Sequence, residues 1–196
     1  MSQRTRMNPA ERTALILATA KQAFASDSYA NVSVAQVAKD AGVSVALVHK
    51  YFESKSGLFA AVLEENFRIL RQRQNDYLEG KTIKRDRVGA LIESYLDFIA
   101  DLKRPYEVGH LLYGHDDARS NEVRRLDERT FAVKLRTIVQ PNESSRDFFA
   151  IQSFQGLLQS ATRAWVQRGC QPDEKYPVIE AVLGGLEGAL GDWDRR

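Results

Sequence analysis

The chain has 196 residues, 43% of them hydrophobic and 28% charged, a balance that supports a packed core and excludes a disordered chain. Its 28 basic and 26 acidic residues leave a formal net charge of +2, which excludes a uniformly basic protein of the histone type. The single cysteine, Cys170, excludes an intrachain disulfide and a cysteine-based metal cluster. No apolar run reaches the length of a membrane span, so we expect a soluble cytoplasmic protein with no membrane partner.

Positive charge is concentrated in the N-terminal part of the chain. Residues 1–60 contain seven Lys and Arg residues and four acidic residues, so this segment carries a charge of +3 and the remainder −1. A basic segment of this size is compatible with nucleic-acid binding.

Capping signals predict where the N-terminal helices begin and end. Asn8-Pro9 begins the first helix, since proline is favoured in the first helical turn, and residues 26–28 end it. Ser33 and Gln36 have the spacing of a capping box at the start of a second helix, which Gly42 ends. Ser44 begins a short third helix.

Helical periodicity continues to the end of the chain. Ser54 caps a long fourth helix, and a polar break follows at 80–87. Further helices are predicted at 88–102, 105–114, 116–139, 145–168 and, opened by Pro177, 177–190. About nine helices and no convincing strand predict an all-α fold: an N-terminal three-helix head with a helix-turn-helix, followed by a C-terminal helical bundle.

The segment 33–51 has the spacing of a helix-turn-helix motif. Gly42 lies in the turn, and the small residues Ala38 and Ala41 lie where the two helices would cross. On the second helix Val48 and Phe52 are predicted to point inward. An exposed helix with small side chains fits the major groove of DNA. A helical hairpin inside an ordinary bundle is the alternative interpretation of the same segment.

Residues 11–64 resemble the DNA-binding region of the TetR family of transcriptional regulators. Residues 33–44 (SVAQVAKDAGVS) are similar to that family's second helix and turn. Residues 51–59 (YFESKSGLF) are similar to its Y-F-x-S-K-x-x-L-[FL] signature. The match is a compound one at fixed spacing over 54 residues.

The resemblance implies a DNA-binding domain at 1–53 and an effector-binding and dimerisation domain at 54–196. It implies a homodimeric repressor that binds a palindromic operator in double-stranded DNA and is released by a small-molecule effector. The residues that would contact DNA are Ser33, Ser44, Val45, Ala46, Leu47, His49, Lys50, Tyr51 and Lys55. The apolar residues at 45 and 47 and the histidine at 49 depart from the residues that relatives often carry there.

Aromatic residues in the middle of the chain are candidates for an effector pocket between helices. The proposed lining residues are Tyr95, Phe98, His110, Tyr113, Phe131 and Phe149. The last two helices have more apolar surface than one core requires, which predicts a dimer interface. Its proposed residues are Phe154, Leu158, Trp165, Val182, Gly185 and Leu186. Burial of both helices in a single core is the alternative.

Two other classes of function remain open from the sequence. One is a helical protein-interaction module without DNA binding. The other is a small helical enzyme or metal-binding protein built around His110 and His115, whose spacing of five residues is poor for ligands on one helix. Because no nucleophile elbow and no Gly-rich phosphate loop occurs, we expect no catalytic activity, no cofactor and no metal.

Overall fold

The computed structural model describes residues 8–102, 104–113, 117–142 and 144–191. Within these ranges the chain forms nine α-helices and no strand, which confirms the predicted all-α fold. The helices are α1 (Pro9–Ser26), α2 (Val34–Asp40), α3 (Val45–Phe52), α4 (Lys55–Leu78), α5 (Lys84–Asp101), α6 (Pro105–Leu112), α7 (Ala118–Val139), α8 (Ser145–Gln167) and α9 (Pro172–Leu190).

Local capping accounts for several helix starts. The Asn8 side chain accepts a hydrogen bond of 2.9 Å from the backbone N–H of Glu11, and the Glu11 carboxylate accepts one from the backbone N–H of Asn8. The Ser54 hydroxyl accepts a 3.0 Å hydrogen bond from the N–H of Gly57 at the start of α4. Each bond satisfies an N–H group that has no partner inside its helix.

Two helix starts differ from the prediction by four residues or more. α5 begins at Lys84, four residues before the predicted position. α9 begins at Pro172, and Pro177, predicted to open it, lies inside the helix. Pro172 occupies the first turn together with the acidic residues Asp173 and Glu174, which favour a helix N-terminus, so the helix tolerates the backbone bond lost at Pro177.

The described chain divides into two compact units. The first comprises residues up to Asn66 together with Arg104–Val123, and the second comprises Phe67–Lys103 together with residues from Arg124 onwards. Helices α4 and α7 therefore contribute residues to both units. The predicted functional division at residues 53 and 54 lies elsewhere along the chain and remains a prediction.

Each unit has its own apolar core. In the first unit the ring centroids of Phe24 and Phe59 lie 4.7 Å apart, and Tyr29 lies 5.0 Å from Phe59. In the second unit α5, α7, α8 and α9 bury a continuous cluster, in which the Phe131 and Phe154 rings stack with centroids 6.1 Å apart. Among the described helices, none combines the length and apolarity needed to cross a bilayer.

Candidate nucleic-acid interface

The turn between α2 and α3 depends on one glycine. Gly42 has a φ of +65°, in the left-handed region, although no heavy atom lies within 4 Å of the position a Cβ would take. Its N–H donates to the carbonyl of Lys39, and the N–H of Val43 donates to the carbonyl of Ala38. This is the hydrogen-bond pattern of a Schellman motif, so Gly42 is required for its backbone conformation rather than for space.

Helix α3 is fixed by its cap and by its inner face. The Ser44 hydroxyl accepts a 3.2 Å hydrogen bond from the N–H of Leu47, which confirms the predicted cap. Val48 and Phe52 are 1% and 8% exposed, as their spacing predicts. The other six residues of the helix are exposed or half-buried.

The structure brings most of the proposed DNA-contacting residues onto one accessible surface of this motif. Ser44, Val45, Ala46, His49 and Lys50 are exposed, and Val45 retains 39% of its surface. Leu47 and Tyr51 are half-buried beside them. α3 is therefore not sealed inside the first unit, in contrast to the helical-hairpin alternative.

Ser33 differs from its predicted local role. It occupies the N-cap position of α2 and is exposed, but its side chain makes no capping hydrogen bond. The Gln36 amide donates instead to the Asp40 carboxylate at 2.7 Å, so the predicted capping box is absent. A contact between Ser33 and DNA remains a prediction.

The His49 ring is oriented by the end of its own helix. Its Nδ1 lies 2.9 Å from the backbone carbonyl oxygen of Glu53. Because a carbonyl can only accept, Nδ1 carries the hydrogen in this contact, and Nε2 is the remaining nitrogen of an exposed ring. His49 can therefore present Nε2 to a hydrogen-bonding group outside the protein.

Glu53 ends α3 in an unusual backbone conformation. Its φ is +65° and its ψ is −47°, a region that residues with a side chain rarely adopt. Its carboxylate accepts a hydrogen bond from the Arg119 guanidinium at the start of α7, within the same unit. The end of α3 is thus joined to a segment 66 residues away.

The six proposed effector-pocket residues do not form one site. Tyr95 and Phe131 line a cavity of the second unit, and Phe98 is buried in that unit beneath the Arg73 guanidinium. His110 is buried in the first unit, where its Nε2 lies 3.1 Å from the Phe24 carbonyl oxygen. Tyr113 and Phe149 are 60% and 68% exposed.

Most of the cavity residues that the sequence did not reveal are polar, and the exceptions are Leu70 and Leu158. The polar residues come from α4, α7 and α8: Arg71, Gln74, Asp127, Thr130, Lys134, Gln155 and Gln159. Arg71 Nη1 lies 2.6 Å from Asp127 Oδ1 across 56 residues of sequence. Because the two residues are far apart in the sequence, no local motif predicts that they form a pair.

Five of the six residues proposed for the dimer interface require a correction. Phe154, Leu158, Trp165, Val182 and Leu186 are each at most 3% exposed, because they form the core between α8 and α9 of a single chain. Side chains buried in this way offer no surface to a second copy. Gly185 is exposed, so its place in a dimer interface remains a prediction.

The outer surfaces of α8 and α9 instead present small residues at helical spacing. The exposed positions are Ser153, Gly156, Ser160 and Ala164 on α8, and Pro177, Ala181, Gly184 and Gly188 on α9. A Cβ added at Gly156, Gly184 or Gly188 would meet no atom within 4 Å. We call these eight residues the small-residue strips.

The metal alternative depended on His110 and His115. His115 lies outside the described residues. Among those described, no three His, Cys, Asp or Glu side chains are grouped as metal ligands could be.

Comparisons with known proteins agree with this arrangement. Residues 16–62 match the family model described as "Bacterial regulatory proteins, tetR family". The chain is 33% identical over 183 residues to the HTH-type transcriptional regulator BetI of Agrobacterium fabrum, which covers 93% of this chain and 76% of that protein. It is also 36% identical to BetI of Rhizobium meliloti over 121 residues. This alignment covers 61% of this chain but only 58% of that protein.

The fold is similar to that of a solved structure as well. A tetR-family transcriptional regulator from Streptomyces coelicolor superposes with a TM-score of 0.76 and 21% sequence identity. The superposition covers 97% of this chain and 89% of that one.

Proposed function

Because the chain belongs to the TetR family of DNA-binding transcriptional regulators, we propose that it acts as a homodimeric repressor that leaves its operator when an effector binds. The observation that carries this proposal is the exposed surface of α3, held on the Gly42 turn.

Helix α3 has the surface of a recognition helix that reads apolar features of DNA. Val45 and Leu47 supply methyl groups that suit the C5-methyl group of thymine in the major groove. Lys50 is exposed and suits a phosphate or the acceptor atoms of guanine, and His49 can offer Nε2. We therefore infer that the operator half-site contains thymines facing Val45 and Leu47.

A second copy of the chain is the proposed partner. The small-residue strips of α8 and α9 would allow two pairs of helices to approach closely, as glycine and alanine do at helix contacts, and the exposed Phe149 would add apolar area beside them. A twofold dimer would present two α3 helices to successive major grooves, about 34–36 Å apart. The operator would then be a palindrome.

For an effector to release the protein from DNA, it must bind the DNA-bound and the DNA-free conformation with different affinity. The cavity lined by Tyr95 and Phe131 is the proposed ligand site. α4 and α7 line this cavity and also contribute residues to the first unit, so a ligand that changes either helix would act on both units.

Selection of bound duplexes from a random pool tests the proposal. We expect a palindromic sequence with half-sites one helical turn apart, bound with a logarithmic salt slope of about −0.9 for each phosphate contacted. No enrichment, or binding unaffected by salt, would contradict it.

One variant of α3 and one control variant test whether Val45 reads bases. Val45→Ser should change the selected sequence at the thymine positions. A good base contact discriminates against the wrong base by about 1–3 kcal/mol, and this variant should lose the preference for thymine. Thr137→Ser, at an exposed position of α7, should leave the selected sequence unchanged. An unchanged preference in Val45→Ser would remove this residue from the reading surface.

A further inference from the structure

A small cavity in the second unit combines apolar walls with charged and amide side chains. Its volume is about 30 Å³, which is room for about two water molecules or a group of similar size. Leu70, Phe131 and Leu158 form its apolar side. A group bound in this cavity would therefore contact both apolar and polar side chains.

The charged groups that line the cavity are two cations and one acid. Arg71 donates to Asp127 at 2.6 Å, while Lys134 Nζ donates to the amide oxygen of Asn75 at 2.8 Å. Burial lowers the pKa of Lys134, and the nearby Arg71 lowers it further. The lining therefore has one positive charge more than it has negative charges.

Uncharged hydrogen-bonding groups complete the lining. Gln155 and Gln159 on α8 and Tyr95 on α5 also line this space. Amides and hydroxyls of this kind are suited to a ligand's oxygen atoms. Gln155 and Gln159 also border a groove of about 900 Å³ between α7 and α8.

We propose that this cavity binds the carboxylate group of a small organic acid, with Lys134 and Arg71 as its charge partners. The cavity accommodates the carboxylate group, and the carbon chain of the acid continues past Gln155 and Gln159 into the groove. A ligand amine is disfavoured because it would face both cations, while the one acid is already paired with Arg71. That this acid is the effector rests on the proposed function, whereas the binding site itself does not.

Thermal unfolding of the full chain tests the ligand class without DNA. The probes are acetate, butyrate, hexanoate and benzoate at 10 mM and pH 7.5, each beside its primary amide and its primary amine. For an acid with a Kd of about 0.1 mM, mass action adds about 2.7 kcal/mol and raises Tm by several degrees. We expect at least one acid to raise Tm by 3 °C or more above its amide and its amine.

Two substitutions in the second unit locate the site. Lys134→Met should remove most of the difference between acid and amide. Lys81→Met removes a positive charge from an exposed position that lines neither the cavity nor the groove, and it should preserve the difference. The wild-type panel keeps the proposal testable even where Lys134→Met fails to fold.

The proposal is overturned if no acid of the panel raises Tm, if an amine or amide matches its acid, or if a folded Lys134→Met keeps the full difference. The effector role is tested by adding the acid that raises Tm to the complex of the protein with the duplex selected from the random pool. An acid that raises Tm but leaves the complex intact overturns the effector role alone. A chain that selects no DNA contradicts the proposed function and leaves the carboxylate site standing.

Discussion

The ammonium group of Lys55 donates a 2.9 Å hydrogen bond to the carbonyl oxygen of Ala30. The same nitrogen lies 4.7 Å from the centre of the Tyr29 ring, a cation–π contact. Lys55 begins α4, and Ala30 belongs to the loop between α1 and α2. This lysine therefore holds two segments of the first unit together, in addition to the phosphate contact that the family resemblance implies for it.

The two roles of Lys55 can be separated by comparison with Lys50. Lys55→Met should lower the free energy of unfolding by about 1 kcal/mol, because it removes a charge-assisted hydrogen bond and a cation–π contact. Lys50→Met, at an exposed position of α3, should change it by less than about 0.5 kcal/mol but weaken DNA binding. Urea unfolding and duplex titration measure the two effects. A Lys55→Met protein of wild-type stability would contradict the structural role.

Features encoded within a few residues could be predicted from the sequence. The start of α1 at Asn8-Pro9, the turn at Gly42 and the caps at Ser44 and Ser54 each depend on neighbours three or four positions away. Hydrophobic spacing also placed Val48 on the inner side of α3. These signals were sufficient for the helix-turn-helix and for the fold class.

Features that depend on distant residues could not be predicted in this way. Periodicity identified an apolar stripe on α8 containing Phe154 but not whether another copy or the chain's own α9 covers it. The Arg71–Asp127 pair joins residues whose meeting is determined only by the folded chain. For the same reason the aromatic residues proposed for the pocket lie in different places: Phe98 in the core, Tyr95 at the cavity and Phe149 on the surface.

Glu53 offers a stabilising substitution next to the recognition helix. Glu53→Gly should raise the free energy of unfolding by about 1 kcal/mol, because glycine adopts a positive φ without the strain of a Cβ. The ion pair with Arg119 that is lost is solvent-exposed and contributes little. Arg119→Ala, which removes only that pair, is the matched control and should have little effect. A Glu53→Gly protein less stable than Arg119→Ala would contradict strain at this position.

The small-residue strips predict where a charge should separate the proposed dimer. Gly184→Arg places a long cation on the exposed face of α9, where no atom lies within 4 Å of the new Cβ, so the monomer should fold. Sedimentation velocity should show a monomer for this variant. Ala100→Arg, which adds the same charge to an exposed position of α5, should remain a dimer. If Gly184→Arg sediments as a dimer, the interface lies elsewhere on the chain.

Asp127 predicts a dependence of stability on pH. Burial of its carboxylate raises the pKa to about 6, and the negative charge of Glu128 acts in the same direction, while Arg71 and Lys134 oppose the rise. In the unfolded chain the pKa returns to its ordinary value of 3.8. Between these values the folded protein retains a proton that the unfolded chain has lost. The free energy of unfolding should therefore fall as the pH rises from about 4 to about 6, and this contribution should stay constant above that range.

Asp127→Asn isolates this contribution, because the amide occupies the same space and does not titrate. Urea unfolding of both proteins at several pH values from 4.5 to 8 gives the difference in their free energies of unfolding. The wild type should lose stability relative to the variant as the pH rises to 6, by at most about 3 kcal/mol, since one pKa unit corresponds to about 1.4 kcal/mol. Glu128→Gln removes an exposed neighbouring carboxylate and should retain most of the wild-type slope. A difference between the wild type and Asp127→Asn that is constant across this range would show that Asp127 titrates alike in the folded and unfolded chains.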